Sequence, residues 1–152
     1  MGAPIVSRAM IENHAKIGGE ENGGIIYGEH QYCRDGAMTV ALILDLMAKE
    51  NMKISDLIAG LPQYHIHKTS VQRKKNWSAL ESKILRYTEA KASDKSDGLK
   101  LIFDDGWVLM RPSGTEPIIR VYGQSRDKKR AEELAKEYEA LILGLQEEPR
   151  AV

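Results

Sequence analysis

Three short apolar stretches separated by tight turns, followed by one long amphipathic stretch, constrain the fold of this chain most. Residues 99–103, 107–110 and 118–122 fit short β-strands, and Asp104-Asp105-Gly106 has the composition of a tight hairpin turn. In the long stretch, apolar residues recur at helical spacing over residues 131–145, after an Asp127 placed to cap the helix. The pattern therefore predicts antiparallel strands packed under an amphipathic helix.

Two further elements complete a small domain. Residues 64–72 alternate well enough for a strand, and Ser78 with Glu81 has the form of a capping box. Leu80, Ile84 and Tyr87 continue the helical stripe of that second helix. Residues 92–98 read as a polar loop, and the chain from Gln146 onward as a frayed tail. Residues 62–145 are thus predicted to form an α+β domain of four strands and two helices.

The sequence pattern of the first 60 residues predicts only part of a domain. Residues 5–16 read as a helix, residues 18–24 as a glycine-rich break and residues 25–27 as a strand. A helix over residues 36–50, capped by Asp35, is apolar on most sides, so it is expected to be buried or packed between layers. Ser55 is placed to cap one further short helical turn. Since one strand cannot make a sheet, this part is predicted to be the end of a domain whose beginning is absent.

Composition excludes several classes of function. The 152 residues carry 22 basic and 22 acidic side chains, which argues against bulk electrostatic binding of nucleic acid. A single cysteine, Cys33, excludes an internal disulfide framework. With no apolar run long enough for a membrane span and no signal-peptide pattern, we expect a cytoplasmic chain without membrane or nucleic-acid partners. Basic side chains gather over residues 68–91, as either a solvated face or a wall facing an anion.

Residues 111–117, between two predicted strands, are the strongest candidate for an anion site. Arg111 offers a planar fork of donors, and Ser113 and Thr115 offer hydroxyls. Gly114 allows a tight turn or close approach by a ligand, and Arg120 can add a second guanidinium. These are the donors that a phosphate group requires. The alternative is a plain β-turn.

A second loop is suited to sugar hydroxyls. Glu20 and Asn22 stand in the glycine-rich break, and a carboxylate with an amide both accepts from and donates to paired hydroxyls. The alternative is a flexible surface turn. His65 and His67 share one strand face at the spacing of two metal ligands, but with no third ligand evident the interpretation is that they are ordinary strand histidines.

The two loops, in this order, resemble those of the α-D-phosphohexomutase superfamily, in its phosphomannomutase/phosphoglucomutase branch, with phosphoglucosamine mutase nearby. The phosphate loop of that family resembles residues 111–117 followed by Ile119-Arg120. Its sugar loop, usually Gly-Glu-x-Ser-Gly, is similar to residues 19–23, where Asn22 replaces the serine. The sequences over residues 34–36 and 105–107 also fit. The resemblance covers essentially the whole chain.

The resemblance implies a division of the chain into two parts. Residues 1–61 correspond to the C-terminal part of the sugar-binding third domain, an α/β remnant. Residues 62–152 correspond to the phosphate-binding fourth domain, with a four-stranded antiparallel sheet and two helices in a TATA-box-binding-protein-like arrangement. The family's phosphoserine loop and its metal loop, Asp-Gly-Asp-x-Asp-Arg, occur nowhere in this sequence. We therefore expect a C-terminal fragment, in which Met1 is an artificial or misassigned start.

The resemblance also implies an activity for the full-length parent. That enzyme interconverts hexose 1-phosphates and hexose 6-phosphates through a phosphoserine, a hexose 1,6-bisphosphate intermediate and Mg²⁺. The residues carried over as phosphate-binding are Arg111, Ser113, Gly114, Thr115 and Arg120, and those carried over as sugar-binding are Glu20 and Asn22.

No residue here is expected to be catalytic or to bind the metal, so the chain alone is expected to be inactive. It would depend on the missing N-terminal domains of the same enzyme. Two alternatives stay open: a fragment of a phosphoglucosamine mutase, and a non-catalytic module that binds phosphosugars or other anions.

Overall fold

A computed structural model of the chain describes residues 2–147, which fall into two compact units. The first, called unit 1, is Met1–Pro62, and the second, unit 2, is Gln63–Val152. No helix within the described residues is both long and apolar enough to cross a membrane.

The described residues of unit 1 form three helices and a small hairpin. Its elements are α1 (Ala3–Glu12), β1 (Ile17–Gly19), β2 (Ile25–Tyr27), α2 (Gly36–Glu50) and α3 (Ile54–Ala59). The first helix ends four residues before its predicted end, and His14 just beyond it has a φ of 52°. Strands β1 and β2 pair antiparallel, so the prediction of a lone strand is wrong. The glycines read as a break allow close packing instead, because a Cβ on Gly18 would lie 2.3 Å from Met10 Sδ.

Helix α2 has the predicted bounds, and Asp35 Oδ1 accepts a hydrogen bond from Met38 N–H at 2.9 Å as its cap. The expectation that it is buried is wrong, since no residue of α2 is buried within the described chain. The cap predicted at Ser55 is also wrong, because α3 begins after Lys53 without a side-chain cap.

Unit 2 is an antiparallel sheet covered on one face by two helices. Its elements are β3 (His65–Gln72), α4 (Trp77–Ile84), β4 (Ala92–Asp94), β5 (Leu99–Ile102), β6 (Gly106–Pro112), β7 (Ile118–Ser125) and α5 (Lys128–Glu147). The strands lie in the order β3-β7-β6-β5-β4. The predicted α+β class and the antiparallel pairing are confirmed, but the strand count of four is wrong. The fifth strand, β4, is polar and exposed along its whole length, so apolar patterning could not reveal it.

The core of unit 2 lies between the sheet and its helices. Strand β7 alternates strictly between partly exposed and buried residues, which separates a helix-covered face from a helix-free face. Helix α5 supplies most of the covering surface, and Asp127 caps it as predicted by accepting from Arg130 N–H at 2.9 Å. The main hydrophobic cluster of this core comprises Val71, Leu80, Ile84, Leu99, Leu101, Val108, Met110, Ile119, Val121, Tyr138, Ile142 and Leu145.

Two predicted helix ends in unit 2 are corrected. The cap of α4 is Asn76, which accepts from Ser78 N–H at 2.9 Å, so the capping box at Ser78 is wrong. Gln146 is not frayed: it is buried, its Oε1 accepts from Lys74 N–H at 2.6 Å and its Nε2 donates to the Gln72 carbonyl at 3.0 Å. The rest of the predicted tail, residues 148–152, lies outside the described residues.

Candidate functional site

The candidate phosphate loop connects β6 to β7, and the two predicted arginines lie on these strands. Arg111 is directly opposite Arg120 in the antiparallel register. Directly opposed residues of an antiparallel pair share a face, and the neighbouring Met110 and Ile119 are buried under the helices. Both guanidinium groups therefore lie on the helix-free face, at the end of the sheet where the loop begins.

The loop itself is organised around Ser113. This residue is buried, and its backbone N–H donates to the Ile118 carbonyl at 2.9 Å. Its Oγ accepts long hydrogen bonds from Thr115 N–H at 3.4 Å and from Glu116 N–H at 3.3 Å. A Cβ on Gly114 would meet nothing within 4 Å, so the tip of the loop is open. The weakly satisfied N–H groups and the open tip give an anion room to approach.

Arg111 is held by a residue that the sequence analysis did not single out. Its Nη1 donates to Asp97 Oδ2 at 3.1 Å, and its side chain is 21% exposed. Its Nε is buried and has no hydrogen-bond partner within the described residues. The sequence signal for this contact is Asp97-Gly98, at the end of the polar segment before β5 that the sequence pattern predicts only as a loop.

Arg120 is also paired, again with a residue that the sequence analysis did not assign. Its Nη2 donates to Glu116 Oε2 at 2.8 Å. The pKa of Arg120 lies above its ordinary value, mainly because of this bond to Glu116 and then because of Tyr122. Beside Arg120 lies an open surface cavity of about 300 Å³, lined also by Lys68, Ser70 and Tyr122. An anion arriving at the loop thus meets two guanidiniums that already have carboxylate partners.

The candidate sugar loop forms the turn between β1 and β2. Glu20 N–H donates to the Gly24 carbonyl at 3.1 Å, and Gly24 N–H donates to Asn22 Oδ1 at 3.0 Å. The Glu20 side chain is only 10% exposed, and its Oε2 lies 3.7 Å from Arg34 Nη1. The arginine stem lies against Gly24, where a Cβ would be 2.4 Å from Arg34 Cδ. The Glu20 carboxylate is therefore mostly shielded from solvent and paired with Arg34. The Asn22 side-chain oxygen is used inside the turn, and its amide nitrogen has no part in that hydrogen bond.

The remaining candidates of the sequence analysis do not come together as a site. Among residues 2–147, no three His, Cys, Asp or Glu side chains are grouped as metal ligands. His65 and His67 lie opposite Ser125 and Gly123 on the helix-covered face of the sheet. Cys33 is an exposed thiol.

The basic run over residues 68–91 forms no single wall, because its members reach different partners. Lys75 Nζ donates to the Leu145 carbonyl at 2.9 Å, Lys91 pairs with Asp104, and Lys68 lies over the ring of Tyr122.

Comparisons with known proteins place both units in one family of models. Residues 1–64 match the model of phosphoglucomutase/phosphomannomutase, alpha/beta/alpha domain III, and residues 69–141 match that of the phosphoglucomutase/phosphomannomutase C-terminal domain. This agrees with the resemblance drawn from the two loops.

Relatives with curated names point the same way. The chain is 46% identical over 150 residues to a phosphoglucomutase/phosphomannomutase of Thermococcus kodakarensis, covering 97% of this chain and 32% of that protein. It is 39% identical to a phosphoglucosamine/phosphogalactosamine mutase of Sulfurisphaera tokodaii, covering 95% of this chain and 32% of that protein. The chain thus spans about a third of the length of the curated relatives that it matches.

A solved structure shares the fold. The crystal structure of a phosphoglucomutase/phosphomannomutase family protein from Burkholderia thailandensis matches with a TM-score of 0.75 at 22% identity, over 97% of this chain and 32% of that one.

Proposed function

Because the chain belongs to the phosphoglucomutase/phosphomannomutase family, we propose that it is the part of a phosphohexomutase that binds the phosphate and the hydroxyls of a hexose phosphate. The whole enzyme interconverts hexose 1-phosphate and hexose 6-phosphate, through a phosphoserine and a hexose 1,6-bisphosphate. In this proposal, residues 1–61 are the C-terminal part of the sugar-binding third domain and residues 62–152 are the phosphate-binding fourth domain. The division into compact units after Pro62 supports that assignment.

The observation that carries the proposal is the register of β6 and β7, which sets Arg111 opposite Arg120 where the loop begins. Two guanidiniums on one face attract an anion, and the planar fork of arginine matches phosphate oxygens. The Ser113 and Thr115 hydroxyls, with the N–H groups at the open tip beside Gly114, complete the phosphate clamp. A clamp of this kind holds either phosphate of a bisphosphorylated sugar, which suits an intermediate that must reorient in the site.

On the sugar side, the proposal assigns hydroxyl binding to Glu20 and Asn22. The Asn22 amide nitrogen is a donor, since its oxygen is already used inside the turn. Glu20 is an acceptor, but it is paired with Arg34 in this structure.

Phosphoryl transfer requires groups that the described residues do not supply. No phosphoserine loop occurs in the sequence, and no group of three potential metal ligands exists within residues 2–147. We assign Mg²⁺ to the whole enzyme, where it stabilises charge on the transferring phosphoryl group, and we assign no step through it to this chain. The chain alone binds but does not convert.

A second candidate for the parent activity is phosphoglucosamine mutase. The relative from Sulfurisphaera tokodaii, which is named a phosphoglucosamine/phosphogalactosamine mutase, matches over nearly the whole of this chain. The two candidates differ at the sugar, so they are separated by the hexose that the sugar loop accepts.

Binding is tested by NMR titration of the ¹⁵N-labelled chain with inorganic phosphate. Shifts are expected at residues 111–116 and at Arg120, with weak affinity because exposed ions compete with water and salt. Arg111→Lys keeps the charge but loses the fork, so it should weaken binding by about tenfold. The matched control is Arg126→Lys, an exposed arginine that contacts Tyr64 at the other end of the sheet. Shifts at residues 68–75 without shifts at residues 111–116 would overturn the clamp.

The lack of activity is tested by incubating the purified chain with glucose 1-phosphate and Mg²⁺. No glucose 6-phosphate should form above a blank purified from a host that lacks its own mutase. Measurable conversion by the chain alone would contradict the proposal that the nucleophile and the metal site lie elsewhere in the enzyme.

A further inference from the structure

Arg111 must present its guanidinium in one orientation if it is to grip phosphate. An arginine side chain has four flexible torsions, and immobilising them on binding costs affinity. In this structure the side chain is already held, because Asp97 Oδ2 accepts from Nη1 at 3.1 Å. The buried Nε cannot reach a ligand, which leaves the two terminal nitrogens as the accessible edge of the fork.

The approach of Asp97 to Arg111 depends on the glycine that follows it. Gly98 has a φ of +91°, a conformation that favours glycine. A Cβ there would lie 2.4 Å from the Met110 carbonyl oxygen and 3.0 Å from Arg111 Cα. Only a residue without a side chain lets this turn lie directly against β6 at Arg111. The contact between Asp97 and Arg111 therefore depends on the backbone conformation at Gly98.

Two further contacts hold the turn that carries Asp97, one within the turn and one to α4. Asp94 Oδ1 accepts from Ser96 N–H at 2.8 Å, which closes the turn at the end of β4. Lys95 Nζ lies 2.8 Å from Glu81 Oε1, and Glu81 belongs to α4, whose Leu80 and Ile84 are buried in the core. The turn that carries Asp97 is thus joined to β4 by a hydrogen bond and to α4 by an ion pair.

We propose that Asp97 is a positioning residue of the phosphate clamp: it holds the Arg111 guanidinium so that the terminal nitrogens face the incoming phosphate end-on. This inference rests on the proposed function. Asp97 uses one N–H of Nη1, and the remaining N–H groups of Nη1 and Nη2 stay available to phosphate oxygens. Because the folded chain already orders the Arg111 side chain, less conformational entropy is lost when phosphate binds.

If Asp97 acted only as a counter-charge to Arg111, its substitution would change phosphate affinity in the opposite direction. As a bare counter-charge, the carboxylate would weaken anion binding, and its removal would tighten it. As a positioning residue, its removal weakens binding, while an uncharged acceptor of the same shape preserves it. Asp97→Ala and Asp97→Asn separate the two roles, since only the asparagine keeps an oxygen that can accept from Nη1.

The first experiment is the phosphate titration repeated on these variants. Asp97→Ala should bind phosphate about threefold to tenfold more weakly, as expected when a long side chain must be ordered on binding. Asp97→Asn should bind at least as tightly as the unsubstituted chain. The matched control is Asp104→Ala, which removes an exposed aspartate paired with Lys91 at the far end of the sheet and should leave the affinity unchanged.

The second experiment needs no ligand. The Arg111 Nε–H resonance should be resolved and protected from solvent exchange in the unsubstituted chain, because the guanidinium is fixed and Nε is buried. It should stay so in Asp97→Asn and collapse toward the position of a free arginine in Asp97→Ala. Backbone shifts of the buried strand residues serve as a check that every variant is folded.

The outcomes are distinguishable. If the unsubstituted chain shows no phosphate shifts at residues 111–116, the proposed function fails and the inference fails with it. If that chain binds phosphate but Asp97→Ala binds equally well or more tightly, the inference alone is overturned. An Nε–H resonance unchanged in Asp97→Ala overturns it as well. Weaker binding in Asp97→Ala, with rescue in Asp97→Asn, supports it.

Discussion

The two units of this chain support their proposed binding loops in different ways. In unit 2, twelve buried residues form one core that continues under the strands flanking the phosphate loop. In unit 1, Met10 and Ile26 are the buried hydrophobic residues among those described, and the sugar loop joins two strands of three residues each. An isolated two-stranded hairpin of that size has little stability of its own.

This difference bears on how each loop meets a ligand. The residues next to Arg111 and Arg120 in sequence are Met110 and Ile119, both fully buried, so the clamp rests on fixed strands. The apolar face of α2 is exposed instead: Val40 is 57% exposed and Leu44 is 57% exposed. Local stability follows the density of buried contacts, so the phosphate clamp should be preorganised in this chain and the sugar loop should not.

Hydrogen exchange tests this comparison most directly. Amides in the middle of α5 should exchange at least about a hundredfold more slowly than those in the middle of α2, since exchange from α5 requires opening the core of unit 2. The measurement is native-state exchange followed by NMR at each amide. Equal or greater protection in α2 would mean that unit 1 has a stability that its few buried residues do not account for.

Truncation of one apolar side chain in each unit should produce the next largest effect. Ile142 in α5 is fully buried, so Ile142→Ala should lower the free energy of unfolding of unit 2 by about 2–5 kcal/mol. Leu44→Ala in α2 is the matched control and should change stability by less than about 0.5 kcal/mol. Both tryptophans, Trp77 and Trp107, lie in unit 2, so their fluorescence in urea reports its unfolding, while far-UV circular dichroism also follows the helices of unit 1.

The core comparison has a clear contrary outcome. A large loss of stability from Leu44→Ala would show that the exposed face of α2 is covered in solution. A small effect of Ile142→Ala would show that the core of unit 2 is less closely packed than its buried side chains indicate.

Within unit 2, two glycines should respond differently to alanine. Gly98→Ala places a Cβ against the Met110 carbonyl and keeps a left-handed φ, so we expect a loss of about 1–3 kcal/mol. Gly114→Ala meets nothing within 4 Å and should leave the unfolding midpoint nearly unchanged. Chemical denaturation of the two variants gives both values, and a comparable loss for Gly114→Ala would contradict the open loop tip.

Elements with a strong repeating pattern were predictable from the sequence. The period of α5 and the bounds of α2 follow from apolar spacing and a capping aspartate, whereas β7 was predicted only over residues 118–122 and extends to Ser125. Strand β4 was missed because it is polar and lies at an edge, where pairing with β5 rather than burial makes it a strand. The hairpin of unit 1 was missed because glycines that usually interrupt a strand here let it pack under Met10.

Part of the candidate site was likewise predictable from the sequence, and part was not. Arg111 and Arg120 could be named from the loop sequence, because their donors are local in the chain. Their carboxylate partners were not named. Asp97 reaches Arg111 across strand pairing, which sequence spacing does not reveal. Glu116 belongs to the loop motif, but the motif alone does not show that it pairs with Arg120. Nor could the sequence indicate that the Glu20 side chain is shielded, since that depends on Arg34 lying over Gly24.

The smallest expected effect concerns acid and the cap of α2. The backbone N–H of Met38 holds the pKa of Asp35 below its ordinary value, and the nearby His30 adds to this when protonated. A carboxyl whose pKa is lower in the folded state stabilises the fold above its unfolded pKa, at about pH 4, and loses that contribution as the pH falls through the folded value.

With few buried residues in unit 1, acid should first loosen the start of α2. The protection factors of the Met38 and Thr39 amides, which correct for the change of the intrinsic exchange rate with pH, should fall below about pH 4 while tryptophan fluorescence of unit 2 stays constant. Asp35→Asn keeps the acceptor without the titration and should abolish this pH dependence. If the protection factor of Met38 still falls with acid in that variant, another group controls the first turn of α2.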